Sequence, residues 1–155
     1  MSAFDPKAFL DISMDAPLVR RPPIPEGDYT ALLGEPETRP WVGVKDPTKS
    51  GVAVDIPVEV DVPQDIRERL NLTLPTIKTK YGFMLDLTPT GGIDMAPGMN
   101  RAIRNLRDAL DLNKPGDSFR ISMVAGRAIK VKIKHREYPE GSGEFFEDVA
   151  GVARA

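Results

Sequence analysis

The residues whose types and spacing point most directly to chemistry lie between positions 127 and 136. Ile129, Val131 and Ile133 alternate there with Lys130, Lys132 and Lys134, Arg127 precedes them and Arg136 extends the charged series. A period of two is the strand period, so the apolar set faces a core and the cations form one row on the opposite face. Residues 120–136 hold six Lys or Arg and no carboxylate, in a chain whose formal net charge is −2. Same-face neighbours on a strand lie roughly 6.6–6.8 Å apart, close to the spacing of successive phosphates in an extended single strand of nucleic acid. The row can therefore neutralise a phosphate backbone. It can equally pair with Glu137, Glu140, Glu144, Glu147 and Asp148 if the following segment folds back as a hairpin, or with an acidic strand elsewhere. The segment alone leaves both uses open.

Sequence-tolerant recognition of single strands also needs aromatic rings on which bases stack. Tyr29, Trp41, Tyr81, Phe83, Tyr138, Phe145 and Phe146 are the candidates. Phe83 shares an apolar strand face with Tyr81 and is expected in the core. Trp41, in a loop beside Pro40, and Tyr138, next to the lysine row, are the expected stacking groups. Lys78 and Lys80 lie opposite the Tyr81 and Phe83 face and join Arg127, Lys130, Lys132, Lys134 and Arg136 as expected phosphate contacts.

Catalytic readings find little support. There is no Gly-x-x-x-x-Gly-Lys-Ser/Thr sequence, and Gly91-Gly92 is too little to cradle a phosphate. With no cysteine and one histidine, the chain has no disulfide, no thiolate metal site and little for zinc or His-based nucleophilic catalysis. Asp55, Glu59 and Asp61 share a strand face, but scattered surface carboxylates are far commoner than metal ligands. His135 reads as a surface or hairpin-packing residue. The expectation is a binding protein without enzymatic activity, cofactor or metal.

The elements that must position these residues follow from the same periodicities. The 155 residues suit one domain, and 15 prolines with 13 glycines favour short strands over long helices. Residues 1–26 form an arm ending in Arg20-Arg-Pro-Pro-Ile-Pro25, and its Phe4, Phe9, Leu10 and Ile12 allow it to pack on the body or on a second subunit as a homodimer. The domain spans 27–155. Strands are predicted at 27–33, 52–62, 78–87, 127–136 and about 145–153, with residues 34–51 as a long loop and a helical turn at 63–70. Pro57 suggests an edge or bulge within the second strand. Met99, Ile103, Leu106 and Leu110 form one apolar stripe, predicting a helix near 98–112 that covers one opening of a barrel. Five antiparallel strands with a helix between the third and fourth is the element order of an OB-fold barrel. No stretch approaches the roughly 20 apolar residues of a membrane span, and the first residues do not read as a secretion signal.

Four segments together carry a resemblance. They are Ile24-Pro-Glu-Gly-Asp-Tyr29, Lys80-Tyr-Gly-Phe-Met-Leu-Asp-Leu87, Asn105-Leu-Arg-Asp-Ala-Leu-Asp-Leu-Asn-Lys-Pro-Gly116 and Gly126-Arg-Ala-Ile-Lys-Val-Lys-Ile-Lys-His-Arg136. Over roughly residues 24–153 the chain resembles small bacteriophage proteins of the replication and recombination region, OB-fold single-stranded DNA-binding proteins. The resemblance implies single-stranded DNA as the partner, phage replication or recombination proteins as associates, and the cytoplasm of the infected bacterial host as the setting. Many such proteins end in an acidic recruiting tail, whereas this chain ends Val152-Ala-Arg-Ala155, so tail-mediated recruitment is not implied. A small β-rich body with charged faces also suits the alternative of a phage structural or decoration protein, or an inhibitor of a host protein.

Overall fold

Val54, Ile56, Val58 and Val60 are between 0 and 1% exposed, which makes the strand that carries them, Ser50–Asp61, the centre of the fold. Burying a side chain of this size contributes about 1.5–3 kcal/mol. The structure, a computed structural model, describes residues 4–155. In chain order its elements are α1 (Pro6–Leu10), β1 (Gly27–Leu33), β2 (Glu37–Val42), β3 (Ser50–Asp61), α2 (Gln64–Leu70), β4 (Thr76–Met84), α3 (Arg101–Ala109), a 3-10 turn (Ile121–Val124), β5 (Ala128–Glu137) and β6 (Phe145–Ala153).

All pairings are antiparallel. β4 runs along one edge of β3 from Ala53 to Asp61, while the other edge is shared in turn by β2, opposite residues 50–55, and β1, opposite residues 58–60. Pro57 stands at this handover. Its carbonyl accepts the Gly34 amide at 2.8 Å, so the N–H it lacks would have pointed to the side where β2 has ended and β1 has only begun. The far edge of β1 pairs with β5, and β5 with β6. The sheet curls until the Thr79 hydroxyl on β4 reaches the Glu147 carbonyl on β6 at 3.4 Å, but no ladder joins these two strands.

The result is a mainly β protein built on an open, six-stranded antiparallel sheet. The expected five-stranded barrel is thus corrected in two respects, since the sheet does not close and the loop expected at 34–51 contains a further strand, β2. β2 lacks the alternation that marks a strand because it is an edge: only Trp41 is even half-buried, and Pro40 sits opposite Val52 without a second neighbour that would need its missing N–H.

The concave side holds the core, where Ile129, Val131 and Ile133 of β5 meet Ile24, Leu33, Ile56 and Leu106. α3 inserts Leu106, 0% exposed, and lies against β6. It is shorter than the predicted 98–112, because Asn100 caps it in the left-handed region at φ 50° and Asp111 leaves it at φ 57°. Asn100 is buried and fully occupied. Its side-chain amide donates to the Asp86 carbonyl at 2.9 Å and the Asp94 carbonyl at 2.8 Å, while its Oδ1 accepts the Asp86 amide at 2.8 Å. Its own backbone N–H donates to an Asp86 carboxylate oxygen at 2.7 Å, so one residue ties the 86–94 loop to the helix.

Residues 4–20 are exposed throughout, and the chain then docks. Glu147, whose side chain is only 5% exposed, accepts the Arg21 guanidinium at 2.6 Å and the Ile24 amide at 2.9 Å, with Arg20 at 3.5 Å. Burial opposes ionisation of Glu147, but these hydrogen bonds outweigh it and hold its carboxyl below the usual glutamate range. No helix among the described residues is long and apolar enough to cross a membrane.

Candidate functional site

Strands β3 and β4 on one side and the end of β5 with β6 on the other bound a groove of about 680 Å³, open along the seam that the sheet leaves between β4 and β6. Lys78, Thr79, Lys80, Gly82 and Phe83 come to it from β4, Asp55 from β3 and Arg39 from β2. Arg136, Tyr138, Phe146, Glu147 and Asp148 form the opposite wall. At Gly82 an added Cβ would lie 2.8 Å from Asp55 Oδ1, so the missing side chain leaves space on the floor for the Asp55 carboxylate.

Charge in the groove is unevenly compensated. Asp55 accepts Arg39 Nε at 2.8 Å, and Glu147 is held by Arg20 and Arg21. Among the described residues Lys78, Lys80 and Arg136 form no ion pair, which leaves Asp148 as the one groove carboxylate without an arginine partner. Two of the carboxylates are thus neutralised by arginines and the remaining cations face solvent, so a net positive field lies along the seam.

Aromatic groups are available beside the cations. Tyr138 is 63% exposed at the start of the β5–β6 turn, where its amide donates to the Glu144 carbonyl at 3.0 Å. Phe83 packs against the core as expected and still shows an edge to the groove, with Tyr81 5.5 Å away between ring centres. Burial pushes the Tyr81 phenol up, and that of Tyr29 likewise, whose hydroxyl donates to the Pro25 carbonyl at 2.6 Å. The Phe146 ring carries the Arg20 guanidinium 3.8 Å from its centre, so a base could stack there only by displacing Arg20.

Of the residues singled out in the sequence, Lys78, Lys80, Arg136 and Tyr138 meet in this groove. Lys130, Lys132 and Lys134 lie on the outer face of β5, exposed, with the expected apolar set buried beneath them. Lys132 stands opposite Asp28 of β1 and Lys134 opposite Asp148 of β6, yet neither forms an ion pair within 4.0 Å among the described residues. β1 separates the row from the acidic strand β3, so pairing with Asp55, Glu59 or Asp61 does not occur. Arg136 is the last member of the row and also a groove residue, which makes the two cationic regions contiguous.

Arg127 lies at the other end of β5, about 30 Å from Arg136 at strand spacing, with its Nε donating to the Met123 carbonyl at 2.9 Å. Trp41 is half-buried on β2 opposite Gly51 and does not line the groove. Arg39 and Thr79 are groove residues that the sequence did not single out. Arg39 could have been found only by recognising β2 as a strand paired with Asp55 of β3.

Of the β3 carboxylates, Asp55 is held by Arg39. Glu59 accepts the Thr76 hydroxyl at 2.8 Å, and no group of three His, Asp or Glu able to hold a metal occurs among the described residues. His135 is exposed on β5, its Nε2 2.7 Å from the carbonyl of Ile24 in the segment before β1. Comparison with protein-family models, with curated proteins and with solved structures found no match.

Proposed function

We propose that the protein binds single-stranded DNA with little sequence preference and does not turn it over. The observation that carries this reading is the groove whose Asp55 and Glu147 are neutralised by arginines while Lys78, Lys80 and Arg136 stay unpaired beside an exposed Tyr138. A strand lying in the groove meets cations along its backbone and a ring for its bases. Beyond Arg136 the backbone continues along Lys134, Lys132 and Lys130.

The fold reading that goes with it is of the OB type. With β2 set aside as an elaboration of the first connection, β1, β3, β4, β5 and β6 with α3 after the third of them have the OB element order. In that fold oligonucleotides lie on the second and third strands between the first and last connecting loops. The groove residues on β3, β4 and the β2 segment, with Tyr138 of the β5–β6 turn, correspond to those parts, while the opposite wall comes from the end of β5 and from β6. The role in phage DNA replication or recombination, in the cytoplasm of an infected host, rests on the sequence resemblance.

Fluorescence anisotropy with labelled oligo(dT) tests the reading. Affinity is expected to fall linearly in a log–log plot against salt, by about 0.7 per phosphate neutralised. Changing Lys78, Lys80 and Arg136 to Gln should reduce both affinity and slope. Absent or salt-insensitive binding overturns the proposal.

A further inference from the structure

The arm and a second groove, lined by residues 93–122, are chemically matched. Arm residues Leu10, Leu18 and Val19 are 85, 87 and 89% exposed, and Phe4, Phe9, Ile12 and Met14 are exposed as well. Such a run of apolar side chains without a covering surface is uncommon in a self-sufficient monomer. The start of the arm is nevertheless ordered by local chemistry. Pro6 opens α1, the Asp5 side chain accepts the Lys7 amide at 3.1 Å, and Phe4 lies 5.3 Å from Phe9 between ring centres, the staple that fixes entry into a helical turn. The arm therefore presents a preformed aromatic knob. Residues 4–19 carry Asp5, Asp11 and Asp15 against Lys7, a net charge of −2.

The groove, about 610 Å³, is formed by the 93–100 loop, α3 and the segment leading into the 3-10 turn. Its floor and lips are apolar, with Ile93, Met95, Met99 and Phe119, and Met95 is 78% exposed. Methionines suit a surface that must mould itself to a partner. Arg104, Arg107 and Arg120 also line it, against Asp94 alone among carboxylates. The groove is thus apolar and cationic, and the arm apolar and anionic.

We propose that this groove receives residues 4–19 of a second copy of the chain, so that the protein associates by exchanging arms. The arm's own body is gripped at Arg20, Arg21 and Ile24, which leaves residues 4–19 free to extend from one copy to the next. Charge complementarity sets the direction, with Asp11 and Asp15 against Arg104 and Arg120. This association is independent of the DNA groove, which lies along the β4–β6 seam.

Two full-length variants test it, both altering exposed side chains only. Phe9→Ser with Leu10→Ser spoils the arm and keeps the groove, while Met95→Glu with Met99→Glu spoils the groove and keeps the arm. In light scattering without DNA, the parent is expected to exceed 17.0 kDa increasingly with concentration, and each variant alone to stay at that mass. An equal mixture of the two variants should associate again, because one supplies the arm and the other the groove. A parent that remains at monomer mass at all concentrations, or variants that associate as the parent does, would overturn the proposal. Failure of the mixture to associate would do the same.

Discussion

Glu147 accepts the backbone N–H of Ile24 at 2.9 Å, so the anchor of the N-terminal segment is a single buried carboxylate on β6. The same carboxylate holds Arg21, and hydrogen bonds of this charged kind contribute about 1.5–3 kcal/mol each. Glu147→Gln should lower stability by about 2 kcal/mol and speed hydrogen exchange at the Ile24 amide. The pKa of Glu147 is lower folded than unfolded, so its contribution is full above the ordinary glutamate range and fades as pH falls through the folded value. Thermal melts between neutral pH and pH of about 3 should therefore show a shallower acid decline for the variant. Equal declines for the two proteins would contradict this.

Lys130, Lys132 and Lys134 are exposed and form no ion pair among the described residues, so removing their charges should leave the fold intact. Changing the three to Gln is expected to shift the melting temperature negligibly, to weaken oligo(dT) binding and to reduce the salt slope by about two units. A variant that melts earlier yet binds as the parent does would remove the row from the binding track.

Tyr138→Ala removes a ring that is 63% exposed and packs little. A stacked base contributes about 1–3 kcal/mol, so affinity for oligo(dT) should fall about 5- to 150-fold with unchanged stability. The half-buried Trp41 lies outside the groove, and Trp41→Phe should change affinity less than Tyr138→Ala does. Anisotropy titrations at one salt concentration compare the two.

Asn100→Ala breaks three side-chain hydrogen bonds, to the Asp86 amide and to the Asp86 and Asp94 carbonyls. At about 1 kcal/mol each the loss is about 3 kcal/mol, before any cost of keeping Ala in the left-handed region. Urea denaturation should show a lower midpoint, and Asn100→Asp, which retains only the acceptor, should not recover the parent value.

Strands with one face in the core announced themselves. The alternation of Val54 to Val60 and of Ile129 to Ile133 was legible because burial demands it, and both outer faces came out polar as expected. β2 was illegible for the converse reason, as an edge strand with almost no buried side chain has no pattern to show. The groove could not be read as a unit, because Lys80 and Arg136 meet only through the curl of a sheet in which three strands separate β4 from β6 in one direction and an open seam in the other. Tyr138, Lys78, Lys80 and Arg136 were found one at a time by residue type. Asn100 escaped notice, and Glu147 was read only as a possible partner of the lysine row, because the weight of such single polar residues comes entirely from what surrounds them.

The handover at Pro57 makes the molecule modular. Because β3 exchanges β2 for β1 at a residue that asks for no donor on that edge, the tip of the β2–β3 finger, the turn between Val42 and Ser50, can be lengthened or shortened while Val54, Ile56 and the register of β1 against residues 58–60 are left untouched. Arg39 rides on that finger. The length of that tip is therefore a dial on how far the finger projects beyond the seam, set by insertions and deletions in a single hairpin with the buried residues of the sheet unchanged.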